Sequence, residues 1–551
     1  MKEGKNYWAS VFRERLSRRQ ILRGAARAGL GVAGVSLLGC AAPTPTKAPA
    51  AATPTAPQPT PTPAKATYGG TLTIGSPAML YEDPAISMGG GIEGLTKGQL
   101  YENLVEVHLE GKPRPWVAKS WEIPEPDKFI FKLEPGIKFH DGVAFNASVA
   151  KFNYERVIDP KTKSDRMDIL NQEVKAVEAV DDYTVAYRLR APSASFLMAI
   201  AGETLMSFVS PKAVEKYNND LRRSGVGTGP FQHEDFRIDA RVSMVRFPDY
   251  WQKGYPYLDK IVIQIVPDKM VQKTMLQTGE VDFIANVDQD VLDDLRRTEN
   301  IIVEGGPVPV LRGIVLNMKK DPFKNKALRQ AVAYAIDRKA IQQSLFKDWP
   351  LAESFFSSNP TYWFYNPNIK GYPYDPQMAR AKLAEGGYPD GFECEGLTTK
   401  AIPGLDNIAE AVQAQVAKVG IKIKLKNVEN AVHSQAGVSG DYQLRFFRTT
   451  TGLDPHRTVV SNLISYAPRV KSVADPYPEL DAMMLKGNTT YDMEERGHLY
   501  NELDRRMLEE AYLNIPILHG TNFVAYNKPV KGFKLSRTDT SWYLHWVWKQ
   551  K

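Results

Sequence analysis

The sequence predicts a multidomain α/β protein carried behind an N-terminal leader and a tether. Three observations lead there. From about residue 68 to residue 551 the chain is too long for a single hydrophobic core, which points to two or three domains. Within that body, short apolar runs of strand period are interleaved with stretches of helical period, the order from which α/β architectures are built. Ahead of it, residues 1–67 hold one moderately apolar run and a segment too poor in large apolar side chains to join a core.

The leader comes first. Ser17-Arg18-Arg19-Gln20-Ile21-Leu22-Arg23 is a twin-arginine pattern. Residues 25–38 follow, rich in Ala and Gly with Arg27 as their one charge, and end in Leu37-Leu38-Gly39-Cys40. The order resembles a bacterial twin-arginine export signal joined to a lipoprotein processing site. Small Gly39 suits cleavage before Cys40, whose thiol would take the lipid. The run is too short for a permanent membrane span. Residues 41–67 are Ala, Pro, Thr and Lys with one Gln. Such a tether favours extended polyproline II at roughly 3 Å per residue, a reach on the order of 80 Å. The expected location is therefore export to the outer face of the cytoplasmic membrane or the periplasm, lipid-anchored.

Charge narrows the partners. Of 70 Lys and Arg and 63 Asp and Glu, residues 1–39 hold eight and two, which leaves 62 against 61 and a net charge of +1 for the rest. The basic balance of the whole chain thus belongs to the leader, and a nucleic-acid partner loses its support. With Cys40 lipidated, Cys394 is the remaining cysteine, so an internal disulfide and a cysteine zinc site are excluded. Cys394 reads as a small core residue.

The body begins with alternation at 71–75, a first strand, broken by Tyr81-Glu82-Asp83-Pro84. Ser87-Met88-Gly89-Gly90-Gly91 is a flexible loop, and a new ordered stretch opens at Leu100. Strands are predicted at 129–133 and 184–189. Between them Asn146 starts a helix that turns Val149, Phe152 and Val157 inward. Residues 192–206 read as helix. Gly225-Val226-Gly227-Thr228-Gly229-Pro230-Phe231 looks like a phosphate cradle but lacks Gly-Lys-Ser/Thr and GxGxxG, and Pro230 stands where the helix should begin. A tight backbone turn between packed segments is the better reading.

Strands at 241–247 and 260–266 precede a helix at 269–277 that stops at Gly279, then a short strand at 280–284. Residues 313–317 form a further strand. Asn325 caps a helix carrying Leu328, Val332, Ala335, Ile336 and Ile341. Asp375-Pro376 starts another, ended by Gly386-Gly387. A third runs over 405–419 into a strand at 421–425. Helix 495–510 and strands 515–518 and 522–526 close the chain.

Catalytic patterns are missing: no His-Glu-x-x-His, no Gly-x-Ser-x-Gly, no Walker sequence. The eight His show no metal-ligand spacing. His433 and His456 could meet a metal only by folding, and each reads as a packing or surface histidine. No metal and no cofactor are expected. Weight shifts from an enzyme to a binding protein.

Six short motifs then occur in order: Tyr101-Glu102-Asn103-Leu104, Pro135-Gly136-Ile137-Lys138-Phe139-His140-Asp141-Gly142, Gly227-Thr228-Gly229-Pro230-Phe231, Gly279-Glu280-Val281-Asp282, Ala331 to Arg338, and Tyr374-Asp375-Pro376. Together they resemble the extracellular solute-binding proteins of family 5, the dipeptide-, oligopeptide- and nickel-binding components of ABC importers. The resemblance implies a two-lobed periplasmic-binding-protein fold of the class II, cluster C type, with the ligand cleft between lobes. It implies lobe I at 68–108, 226–316 and 521–551, with an extra subdomain at 109–225, and lobe II at 317–520. Two strands would cross between lobes near 314–317 and 518–523. The implied partners are a peptide or other small solute, the permease subunits, and the membrane through lipid; a monomer is expected.

In the family's peptide binders a lobe II strand pairs with the peptide, and an Asp after it takes the amino group. The matching stretch runs over 444–455, and its Asp454-Pro455 fits. The amine-binding Asp does not: Thr449, Thr450 and Thr451 fall there, and a buried ammonium without a carboxylate is costly. Arg448 instead offers a fork of donors, and Phe446 and Phe447 an apolar wall. Met88, Ile92 and His519 complete the expected contacts. Tyr362 and Trp363 could stack on a sugar, but packing is favoured. An oligosaccharide or a nickel chelate stays open as the solute, a secreted hydrolase is the remote alternative, and a sensor or chaperone on the same fold is a third.

Overall fold

The computed structural model describes residues 66–78, 82–86, 94–107, 111–164, 166–202, 207–535 and 542–550. The leader, the tether with Cys40, and the loop holding Met88 and Ile92 lie outside the described residues.

The strands that position the site are, in chain order, β1 Thr71–Ser76, β2 Ala118–Glu125, β3 Lys128–Leu133, β4 Val174–Asp181, β5 Thr184–Leu189, β6 Phe231–Arg237, β7 Arg241–Arg246, β8 Lys260–Ile265, β9 Phe283–Ile284, β10 Ile301–Leu316, β11 Glu393–Thr398, β12 Lys422–Asn427, β13 Leu444–Thr450 and β14 Asn514–Asn527. Ten of them form one sheet in the order β12-β11-β13-β10-β14-β9-β1-β8-β7-β6. The other four make a separate antiparallel sheet, β2-β3-β5-β4.

Long strands β10 and β14 join the two halves of the large sheet. They pair antiparallel from Ile301 opposite Asn527 to Val315 opposite Asn514. At one end β14 lies beside β9, with Phe283 opposite Tyr526. At the other end β10 lies beside β13, with Val310 opposite Thr450 and Leu316 opposite Leu444. The register slips between Pro307 and Leu311. Pro307 and Pro309 have no N–H to donate, so the ladder cannot continue through them.

Each half carries its own core. On the β1 side, Leu72, Ile74, Phe231, Ile261 and Phe283 pack with Trp542 and Leu544. On the β13 side, Ile314, Phe446 and Ile517 pack beneath helices Lys326–Tyr334 and Leu405–Ala417. There β11, helix Leu405–Ala417 and β12 form a parallel βαβ unit. The four-stranded sheet buries Phe129, Phe131 and Tyr187 in a cluster that continues to Tyr500, Leu503 and Met507 of helix Met493–Glu509.

Local signals account for most boundaries. The Asn146 side chain accepts from the Val149 N–H at the start of helix Ala147–Ile158. Asp375 accepts from Gln377 and Met378, with Pro376 at the first helical position. Gly279 ends helix Lys269–Thr278 with φ of 79°, in the left-handed region open to glycine. Elsewhere the structure corrects the expectations. The helix expected to run from Asn325 through Ile341 is two helices, because Asp337 accepts from Ala340 and starts Arg338–Leu345. The stretch 192–206 is helical at Phe196–Gly202 among its described residues. The two strands expected at 515–518 and 522–526 are one, β14. Strands β2, β4, β6 and β11 escaped the sequence reading because their outward positions are charged or polar and their inward ones few.

Candidate functional site

The candidate site is the junction where β13 ends beside the crossing of β10. Alternation along β13 sends successive side chains to opposite faces. Phe446 faces Ile314 and is wholly buried in the core of its sheet half. Phe447 turns the other way and is buried against Gly313, whose missing Cβ leaves room for its ring. Neither offers a ligand wall in this structure. Over 448–450 the strand leaves the core before burial resumes at Thr451: Arg448 and Thr450 are exposed and Thr449 half-buried. The Thr449 hydroxyl accepts from Asn462 Nδ2 at 3.3 Å.

Arg312 lies directly across from Arg448 in the β10–β13 register. Its guanidinium sits 4.1 Å from the Trp349 ring centroid and 6.0 Å from that of Phe346. The side chain is buried, donates one long bond of 3.5 Å to the Pro403 carbonyl, and leaves Nε without a partner. Burial, and then the charge of Arg448, pull Arg312 below the usual guanidinium range. Sequence reasoning passed over Arg312; the signal was a lone cation in the apolar run Val310-Leu311-Arg312-Gly313-Ile314-Val315.

Asp454 is placed differently from its expected contact role. It caps helix Pro455–Asn462 by accepting from the His456 N–H, and it takes two bonds of 2.5 and 2.7 Å from Arg496. Both partners are buried. Arg496 also donates to the Gly487 carbonyl and lies 5.1 Å from the Trp363 ring centroid. The carboxylate is thus consumed inside the fold. His519, on β14, is buried with Nε2 2.9 Å from the Ser354 carbonyl and Nδ1 3.3 Å from that of Val310. Burial draws its ring down to about 4, so it stays neutral and braces the crossing.

The other residues singled out by sequence turn out to pack. Tyr362 is buried against Gly111, and the Trp363 ring faces the Arg496 guanidinium. His433 donates from Nε2 to the Phe446 carbonyl, while His456 follows the Asp454 cap. Cys394 is a core residue whose thiol burial pushes up to about 12. Among the described residues no group of three or more His, Cys, Asp and Glu comes together as a metal would need.

Three of the six motifs meet at a second junction, which is structural. A Cβ on Gly227 would lie 2.0 Å from the Leu100 carbonyl oxygen, and one on Gly229 2.3 Å from that of Gln99. The glycines therefore let two backbones touch, as expected of a turn between packed segments. His140 receives the Gly227 N–H at Nδ1 and donates from Nε2 to the Gly229 carbonyl. Beside them the buried Glu102 accepts from Trp116, Tyr250 and Trp251, and burial raises its carboxyl to about 7.

The chain as a whole is similar to known proteins. The Haemophilus influenzae protein named heme-binding protein A is 29% identical over 82% of this chain and 87% of its own length. The glutathione-binding protein GsiB of Escherichia coli K12 is 32% identical over 59% of this chain and 63% of its own. The solved structure of the periplasmic binding protein DppA from Helicobacter pylori, in complex with the peptide STSA, superposes with a TM-score of 0.70 at 26% identity. That superposition covers 88% of this chain and 99% of DppA. The fold is thus the two-lobed α/β fold of periplasmic binding proteins. Residues 112–468 match the middle region of the family described as bacterial extracellular solute-binding proteins, family 5. The chain belongs to the bacterial extracellular solute-binding proteins of family 5.

Proposed function

We propose that this chain is the membrane-tethered, extracellular solute-binding component of an ABC importer. It captures a peptide or similar small organic solute between two lobes and delivers it to the permease, without turnover. Lobe I comprises 68–108, 226–316 and 521–551, with its subdomain at 109–225; lobe II comprises 317–520. Lipid on Cys40 holds the protein at the outer face of the membrane after twin-arginine export.

The observation that carries the reading is the β10–β14 pair. It links two half-sheets with separate cores, and β13 ends at the crossing with Arg448, Thr449 and Thr450 outside the core. Ligands of hinged α/β proteins settle at such interdomain clefts. The peptide complex of DppA and the glutathione in the name of GsiB favour a peptide-like solute. Of the expected contacts, Arg448, Thr449 and Thr450 remain as proposed ligand contacts, with Met88 and Ile92 on the facing loop.

The test is a thermal-shift screen of the full chain against di- to pentapeptides, oligosaccharides and nickel chelates. A ligand that binds the folded state at about 100 times its dissociation constant adds about 2.7 kcal/mol. A peptide response supports the proposal. A sugar-only response moves the assignment to carbohydrate uptake, and silence across all classes refutes the importer reading.

A further inference from the structure

Arg312 and Arg448 form an arrangement that folding alone does not reward. Antiparallel pairing sets them directly opposite on neighbouring strands, where like charges destabilise a sheet. Among the described residues neither has an ion pair with a carboxylate. Arg312 is 7% exposed, yet it spends one long bond on Pro403 and keeps Nε unpaired. Buried Arg445 also keeps Nε unpaired, over the Tyr442 ring and without a like charge opposite it, while three other buried arginines show what satisfaction looks like. Arg156 is bidentate to Asp83, and Arg496 to Asp454. Arg329 bonds four carbonyls: Phe323, Lys324, Glu510 and Ala511. An unpaired buried guanidinium costs free energy unless an anion arrives to meet it.

The surroundings specify the anion. The Arg312 guanidinium carbon lies 4.1 Å from the Trp349 ring centroid, and exposed Arg448, opposite it in the register, is close enough for its charge to act on Arg312. Two planar forks suit the paired oxygens of a carboxylate. Among the described residues this strand end carries no free carboxylate for an ammonium. Thr449, Thr450 and Thr451 carry no charge, and the Asp454 carboxylate is locked to Arg496.

We infer that Arg312 and Arg448 form an anion subsite, and that the solute presents a carboxylate there and needs no free amine. The inference rests on the reading of this junction as the solute cleft. A peptide with a capped amino end, or a small polycarboxylate, has the required chemistry. Arg448 makes the exposed half of the contact, and Arg312 the desolvated half.

Calorimetric titration of the full chain tests this with N-acetyl-trialanine, its C-terminal amide, free trialanine, citrate and inorganic phosphate. The proteins compared are wild type, Arg312→Met and Arg448→Gln. The expected result is binding of acids but not of the amide, with acetylated and free amino ends equivalent. Each substitution should weaken acid binding by about 30-fold or more. It should also leave the unliganded thermal midpoint unchanged or higher, because a repulsion is removed. Exposed Arg448→Gln keeps the test valid where Arg312→Met fails to fold. Binding of the amide as tightly as the acid, phosphate binding alone, or variants that bind solutes like wild type would overturn the subsite while the importer reading stands. Absence of binding by any solute class in the wider thermal screen would overturn both.

Discussion

Replacing Asp454 by Asn separates two roles for one residue. The carboxylate holds Arg496 through two bonds, with the side chains 5% and 3% exposed, so solvent screens the pair little. Removing the charge leaves a buried guanidinium with the Gly487 carbonyl and two aromatic faces. Breaking one side of a buried pair costs about 3–5 kcal/mol. The asparagine still accepts from the His456 N–H, so the helix cap adds little to the loss. The expected destabilisation is therefore about 4 kcal/mol, or roughly 4 °C in thermal midpoint for a body of this size. Urea and thermal unfolding of the two proteins measure it, and titration with any solute found in the screen runs beside them. Affinity at a temperature where both are folded should stay within about threefold, since the carboxylate faces Arg496 and not the cleft. A loss below about 1 kcal/mol combined with a large drop in affinity would refute the structural role. Asp454→Leu with Arg496→Met should recover much of the stability, because a matched apolar pair carries no orphan charge.

Three further outcomes follow from the same structure. His140, His456 and His519 are buried with ring pKa values drawn from 6.5 to about 4. Their folded pKa is depressed, so the stability they contribute is present above about pH 6.5 and lost as the pH falls towards 4. Glu102 and Asp504, whose buried carboxyls are raised to about 7, act in the opposite sense over the same window, so the check compares urea midpoints of wild type and His456→Gln: the wild-type curve should fall more steeply towards pH 4, and parallel curves would contradict the burial. Gly227→Ala places a Cβ 2.0 Å from the Leu100 carbonyl oxygen, against backbone that cannot rotate away. A loss of about 3 kcal/mol or more is expected, read as a collapsed soluble yield or urea midpoint. Asn488 accepts from the Ser195 N–H and hydroxyl, which ties residues 193–195 to helix Pro478–Thr489. Asn488→Ala should speed solute release about fivefold in stopped-flow traces without changing the solute preference.

The parts of the fold legible in the sequence are those decided by neighbours along the chain. Asn146, Asp375 and Gly279 act within a turn of themselves, and each boundary they imply is present. The split at Asp337 was also local, but apolar spacing continued across it and masked the cap. Partners distant in sequence stayed hidden. Asp454 meets Arg496 over 42 residues, and nothing in Asp454-Pro455 distinguishes a ligand contact from a buried cap. Phe446 and Phe447 were read as a wall because alternation gives two faces but does not say that both are covered. Arg312 went unnoticed because its meaning arises from Arg448 across the ladder and from Trp349, not from its own neighbours.

The two prolines at the crossing have a mechanical consequence. Between Pro307 and Leu311 the ribbon of β10 and β14 has no regular rungs, while the ladder is continuous over residues 301–307 of β10. Stiffness is therefore concentrated in the half-sheets, and compliance in a few residues. Bending at this gap breaks no rung between β10 and β14 themselves, and the contacts that oppose it come from outside the ladder: the Thr451 N–H on the Pro309 carbonyl and the His519 ring beside that of Val310. The angle of such a joint is set less by the ribbon than by these few side contacts, and a solute that competes for or adds to them would bias it.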